Sequence, residues 1–458
     1  MIVDKYDPVN LFELVPNLTL EMEPELAELD RLLDDDELFR RVKADMGKRR
    51  PNSSRLGRHS TPVEVVLRML VVRRLYDFSY EQTERHVSDS LVLRQFCRLG
   101  LERAPDDTTL IRWAGLIGAE TLERRGDRVV VLARSLRVTR GRKMRADGTV
   151  VETNIHHPTD SSLLADGVRV LGRLLSRAKA ELPEVPRRLF RNRSRSAKKL
   201  AREVVDVARR RGERAQEALR SAHERLIGVA QAALDQAGKA RELLGETQRT
   251  GLPSEKLEHY GGLLGRVVEQ SRRRVLEGEQ VKASEKVVSI FEEHTAIIRR
   301  GKAGKRTEFG RKVWLDEVEG GIITGYRVQE GNPSDEEQLA PALEHHERVF
   351  GKPPRLVAAD RGVYSPENEQ ECRERGIERA CLPKRGKKSR EREGYERQGW
   401  FRRGQRFRAG VEGRISVMKR RGLLGECRDK GEAGFDRWVG WGVLVANLGT
   451  IARTLATR

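Results

Sequence analysis

The chain has 458 residues, 35% of them charged, with 90 Lys+Arg against 70 Asp+Glu for a net charge of +20. That length supports more than one core, and that balance points to a polyanionic partner such as nucleic acid. The four cysteines (Cys97, Cys372, Cys381 and Cys427) form no C-x-x-C pair, which argues against a zinc ribbon and a disulfide framework, and no run reaches the length of a membrane span.

In chain order, "LDRLLDDDELFRRV" reads as acidic and helical, and the N-terminus has none of the basic start and apolar run of a signal peptide. Thr61, Pro62 and Glu64 spell a helix start, Ser79 with Gln82 repeats it, and Asp106 or Asp107 precedes another short helix. Residues 1–140 are therefore expected to be a helical domain. Two roles stand side by side for it, recognition of DNA ends and dimerisation.

At "MRADGTVVETNI" the pattern changes to a strand carrying Asp147. An amphipathic helix follows, with Leu163, Leu164, Val168, Leu171, Leu174 and Leu175 on its buried side. Residues 141–186 are assigned to an α/β core. Residues 187–300 are rich in Ala, Arg, Glu and Leu and read as a helical insertion, with "TGLPSEK" as a break and a basic cluster from Arg187 to Lys199.

The core resumes over 301–458. "RKVWLDEVEGGIITGYRV" predicts a hairpin, Ser334 with Glu337 a capped helix, "PRLVAAD" a strand ending in Asp360, "SPENEQECRERG" a helix, and "IERACLP" a strand. The basic stretch "KRGKKSREREGYERQGWFRRGQR" leads into a helix bearing Glu412, and "WVGWGVLVANLGTIA" reads as a buried core helix. Trp314, Trp438 and Trp441 read as core. Trp400 stands out as a platform for an unpaired base.

Asp147 and Asp360 lie on or at the end of strands, and Glu412 on the late helix. Such carboxylates can converge at one edge of a sheet, where hard oxygen donors select Mg²⁺ or Mn²⁺ and two ions serve phosphoryl transfer. Gln405, Arg408, Glu412 and Lys419 share one helical face, so cations flank the acid where phosphates would dock. Weighed against these assignments are Asp160 and Glu152 for the first acid, Glu393 and Glu396 for the third, and His156–His157 as metal ligands. For each of these a structural role is the simpler reading.

These motifs resemble those of the DDE insertion-sequence transposases. Gln405, Arg408, Glu412 and Lys419 match a Y-(2)-R-(3)-E-(6)-K signature, with glutamine in place of tyrosine. "ADRGVY" matches D-[RK]-G-[YF] around the second acid, with Val363 inserted before Tyr364, and "DGTVVETNIHHPTDSSLL" resembles the first-acid segment. "EFGRKVWL" resembles the second strand, and "GRHSTPVEVVLRMLVVRRLYDFSYEQTERHVSDSLVLRQF" the helical domain that precedes the core. The resemblance implies an RNase H-like catalytic core with a mixed sheet, interrupted by an all-helical insertion. It implies catalytic, metal-binding Asp147, Asp360 and Glu412 with two Mg²⁺ or Mn²⁺ ions. DNA contacts are expected from Arg361, Arg408, Arg414, Lys419 and Trp400. The implied partners are double-stranded DNA, as terminal inverted repeats and as target, and a second copy in a homodimer. The implied setting is the cytoplasm of a prokaryote, at the nucleoid, with no membrane. An RNase H-like nuclease that does not join strands, and an inactive DNA-binding descendant, are the alternatives.

Overall fold

The computed structural model describes residues 3–5, 21–48, 52, 60–182, 186–246, 252–299 and 307–458. The chain divides into two compact units, one formed by the residues up to Thr153 together with Arg311–Arg458, the other by Asn154–Gly310.

The first unit begins with helices α1 (Pro24–Leu33), α2 (Asp36–Gly47), α3 (Val63–Leu75), α4 (Tyr80–Asp89), α5 (Leu91–Phe96), α6 (Asp107–Leu116) and α7 (Ala119–Ser135). Local chemistry sets several starts. Ser79 and Gln82 close a full capping box on α4, and Asp106 accepts from the Thr109 amide to start α6. The expected cap at Thr61 is not used. The α3 N-cap is Pro62, and Glu64 turns inward to the buried Arg68, which is fully covered and also pairs with Asp30 and Asp34.

Strand β1 (Lys143–Glu152) follows, and the chain then leaves for the second unit. There α8 (Asp160–Glu181), α9 (Ser194–Ala208), α10 (Glu213–Glu246) and α11 (Leu252–Ser271) pack on one another around an aliphatic core. The leucines predicted for the buried face of α8 are all in it. A π-helical turn, Arg272–Leu276, ends α11, and β2 (Ala296–Arg299) pairs antiparallel with the first four residues of β3 (Thr307–Val318). The helix α8, expected in the sheet domain, thus belongs to the insertion, which begins at Asn154. Part of the predicted break, "TGLPSEK", lies outside the described residues, as do the side chains of Arg187 and Arg188.

Back in the first unit come β4 (Ile322–Val328), α12 (Leu339–Phe350), β5 (Leu356–Ala358), α13 (Pro366–Glu374), β6 (Arg379–Cys381), α14 (Arg390–Arg397), α15 (Gly399–Arg420) and α16 (Glu432–Ala456). The predicted hairpin is β3–β4, turning through Gly320 and Gly321 at φ of 87° and 74°. The Glu319 carboxylate at that turn accepts from the amides of Arg140, Arg142 and Lys143 and so fixes the entry to β1. Ser334 does not cap α12, which instead grows from a 3₁₀ turn at Glu336–Gln338, whereas Ser365 caps α13 as expected.

The sheet order in this unit is β4-β3-β1-β5-β6, parallel from β1 to β6 and antiparallel from β3 to β4. One helix, α16, is long and apolar enough to cross a membrane, but most of it is buried against α1, α3, α7 and β4. Its fully buried Asn447 accepts from the Ile323 amide and donates to the Ile323 carbonyl, closing backbone groups of the edge strand β4. The N-terminal helices therefore share a core with the sheet rather than forming a separate body.

His346 on α12 is 1% exposed, donates from Nε2 to the Gly141 carbonyl and has no partner at Nδ1. Burial pushes its pKa down from 6.5 to about 4. The unfolded chain binds this proton first, so the stability that neutral His346 contributes is intact above about pH 6.5 and is lost as pH falls towards 4. Compared by thermal melts, the parent is expected to lose more stability than His346→Gln between pH 7 and 4.5; parallel losses would refute the assignment. Arg68→Met takes the buried cation from Glu64, Asp30 and Asp34 and leaves them only the part-exposed Arg98, and is expected to cost about 1–3 kcal/mol in urea unfolding, a neutral result being incompatible with this role.

Candidate active site

The strand β1 is the point where the sheet changes direction of growth. The chain places β3 and β4 on one side of it, then crosses to place β5 and β6 on the other. Ligand sites in open α/β sheets form at such switch points, beyond the carboxyl ends of the parallel strands. The β1–β5 register pairs Lys143 with Leu356 and Arg145 with Ala358. Continued two residues past its last pair, this register would bring Asp147, in the middle of β1, level with Asp360, two residues beyond the end of β5.

Each acid accepts from the amide of a nearby glycine, Gly148 within β1 and Gly362 in the turn after β5. The Gly148 amide donates to Asp147 Oδ1 at 2.8 Å, and the Gly362 amide to Asp360 Oδ1 at 2.7 Å. A Cβ on Gly148 would lie 3.4 Å from Asp335 Oδ1, and one on Gly362 3.1 Å from Asp335 Oδ2. Asp335 thus lies beside both glycines, ion-paired to Lys312 at 2.7 Å. The sequence reading passed over it, having taken the neighbouring Ser334 as a helix cap.

Helix α15 brings the third acid because two glycines let it lie close on the sheet. A Cβ at Gly404 would come within 2.7 Å of Cys381 Sγ, and one at Gly410 would overlap the Arg145 guanidinium. Arg145 on β1 donates to the Phe407 carbonyl at 2.7 Å and pairs at 2.6 Å with Glu317, which is 1% exposed. Gln405, in the position of the signature tyrosine, donates to the Cys381 carbonyl at 3.1 Å. It ties the helix to the end of β6 rather than presenting a ring or hydroxyl.

Arg408 then spans the acids. Its Nη1 donates to Glu412 Oε1 at 2.7 Å and its Nη2 to Asp147 Oδ2 at 3.3 Å. Asp147 is driven up to about 6, first by burial and then by the charges of Asp360 and Glu412, against the opposing pull of Arg408 and the Gly148 amide. Among the described residues no three His, Cys, Asp or Glu side chains already close into a metal cage. The three predicted acids are gathered into one electrostatic field, with a guanidinium between two of them.

Asp360, Arg361, Gln405 and Arg408 line an open groove of about 540 Å³ together with Lys388 and Arg402. Arg361 and Arg402 are exposed, and Lys419 is half-buried on α15 beyond Glu412. Arg414 turns the other way. It donates to the Ala446 carbonyl at 3.0 Å and the Thr450 hydroxyl at 2.7 Å, so its guanidinium joins α15 to α16 and does not face the groove. Trp400 packs edge-on against Tyr395 and Phe401 rather than offering an open face.

The rival acids have other partners. Glu396 is held by Lys388, Arg392 and the Lys384 amide, and Glu393 by Arg397. Asp160 lies in the insertion unit, bonded to Gln270 and Arg274. There too His156 pairs with Asp166 and His157 lies edge-on to Phe309.

Residues 13–115 match the family described as a transposase domain (DUF772), and residues 286–448 match that described as a transposase DDE domain. Asp360 and Glu412 fall within the second match. Asp147 falls between the two. No curated protein and no solved structure matches the chain.

The packing of α15 predicts a contrast between two glycines. Gly410→Ala forces a methyl into the pinned Arg145 and is expected to cost about 1–3 kcal/mol. Gly413→Ala meets nothing within 4 Å and is expected to stabilise by up to about 1 kcal/mol. Equal urea midpoints for the two variants would show that Arg145 does not set the height of the helix.

Proposed function

We propose that this chain, which belongs to the DDE insertion-sequence transposases, cuts DNA at the ends of its element and joins the freed ends to target DNA, using Asp147, Asp360 and Glu412. The observation that carries the reading is Arg408, bonded to both Asp147 and Glu412 beside the groove that Asp360 lines. The order β4-β3-β1-β5-β6, with an antiparallel hairpin on one side of β1 and parallel strands on the other, supports an RNase H-like core.

The donor set fits divalent cations. Carboxylate oxygens are the ligands that Mg²⁺ and Mn²⁺ prefer. Burial raises the Asp147 carboxyl, Asp360 and Glu412 add to that rise, and Arg408 opposes it. Asp147, Asp360 and Glu412 would hold two such ions. When bound, they neutralise charge on the phosphoryl group and acidify the attacking hydroxyl.

The chain's own groups do the positioning. Gln405, Gly404 and the Arg145–Glu317 pair fix the helix that carries Glu412. Arg408 offers a planar fork suited to phosphate oxygens once it is drawn from the acids. Arg361 and Lys419 add cations on either side. In the first reaction the oxygen of water attacks the phosphorus at the element end and the 3′-oxygen leaves as a hydroxyl. In the second, that hydroxyl attacks a target phosphodiester in line and displaces one strand. Neither reaction needs a covalent protein–DNA bond, so no nucleophilic Ser or Tyr is assigned. Bringing two ends together calls for at least a dimer.

Labelled element ends incubated with plasmid and Mg²⁺ are expected to yield joined product. Cut ends with no joining would favour the nuclease alternative. Asp360→Asn is expected to slow cutting by on the order of 10³-fold while DNA affinity holds or rises, because a charge that repels phosphate is gone. Cutting at the parental rate would remove Asp360 from the site.

A further inference from the structure

The insertion unit contains a second concentration of positive charge. The start of α8, the π-helical turn after α11, the segment 283–288 and the β2–β3 pair surround a cleft of about 180 Å³. Three cations line it, Arg274, Lys286 and Arg299, and Asp160 is the one acid among its described lining residues. Asp160 is 8% exposed and already engaged, accepting from Gln270 Nε2 at 2.8 Å and from Arg274 Nη1 at 2.7 Å. Gln270 also accepts from the Val287 amide at 2.9 Å, so the floor of the cleft is cross-linked.

A structural ion-pair cluster would match its cations with acids. Here three positive charges meet one negative, a surplus of two, in a cleft large enough to admit a phosphate group. Lys286 registers the surplus, its pKa lowered first by burial and then by Arg274 and Arg299. The turn that bears Arg274 is π-helical, a distortion that recurs at functional sites. The sequence that joins β2 to β3, "RGKAGKR", is itself basic.

We propose that this cleft binds a phosphodiester of the DNA backbone, so that the insertion is a DNA-holding unit; this rests on the reading of the chain as an enzyme that handles DNA. Lys286 and Arg299 supply the exchangeable contacts, and Arg274, tethered to Asp160, supplies a fixed charge. Contacts of this kind position DNA without reading its sequence.

The test uses the full chain and a labelled random-sequence duplex in EDTA, so that binding is measured apart from cutting. Affinity is followed against salt for the parent, for Lys286→Gln/Arg299→Gln, and for Arg210→Gln/Arg211→Gln, an exposed pair outside the cleft that carries the same charge change. The cleft variant is expected to flatten the log–log salt slope by about 1–2 and to weaken binding several-fold for any sequence. The control pair is expected to leave the slope at the parental value, and thermal melts verify that both variants fold. An unchanged slope in the cleft variant, or an equal change in the control pair, overturns the proposal even if the parent cuts and joins DNA. Conversely, a flattened slope in the cleft variant alone, from a parent that neither cuts nor joins, upholds the cleft and sinks the catalytic reading.

Discussion

The pairing of β1 with β5 is the constraint on which the site depends. Only three residues of each strand are in register, and continued by two residues that register would bring Asp147 and Asp360 level although Lys143 and its partner Leu356 are 213 positions apart. Because the side-chain period of a strand is two, a slip of one residue would turn one acid to the opposite face. The surroundings hold that register from several directions. Glu319 fixes the start of β1 through three amides, Gln405 grips the end of β6, and Arg145 anchors the helix above. The long excursion between the acids begins at Asn154, just beyond β1, so the insertion unit interrupts the chain without interrupting the strands that set the acids.

Much of the positive charge is engaged within the fold. Arg68, Arg145 and Arg311 are buried or nearly so, and each is paired with carboxylates. Arg414 is spent on a carbonyl and a hydroxyl of α16. The net charge of the sequence therefore overstates what faces a polyanion. Among the described residues, positive charge outnumbers its acids in the cleft of the insertion unit, where three cations meet one carboxylate.

Each of the three candidate acids stands out in the sequence through a local pattern: Asp147 precedes a glycine in a β-rich run, Asp360 closes an apolar run ahead of Arg361 and Gly362, and Glu412 sits in a helical register of cations. The starts at Ser79, Asp106 and Ser365 were legible for the same reason, since a cap acts within three residues. Thr61 and Ser334 failed where tertiary demands won: Glu64 was drawn to Arg68, and Asp335 to Lys312. Asp335, Glu317 and Arg145 could not have been singled out, because their partners lie in other elements far along the chain. The direction of Arg414 was equally hidden, since a basic helix shows which residues are charged but not which face meets a neighbouring helix. The true start of the insertion was missed because α8 has the same amphipathic pattern whether it covers a sheet or joins a bundle.

The buried course of α16 has a consequence for how the chain matures. The helix packs against α1, α3 and α7, so residues from the far end of the sequence complete the core begun by its first helices. During synthesis those early helices wait with an apolar surface uncovered until Glu432–Ala456 has emerged. A nascent chain stalled before that point offers chaperones and proteases a half-built core.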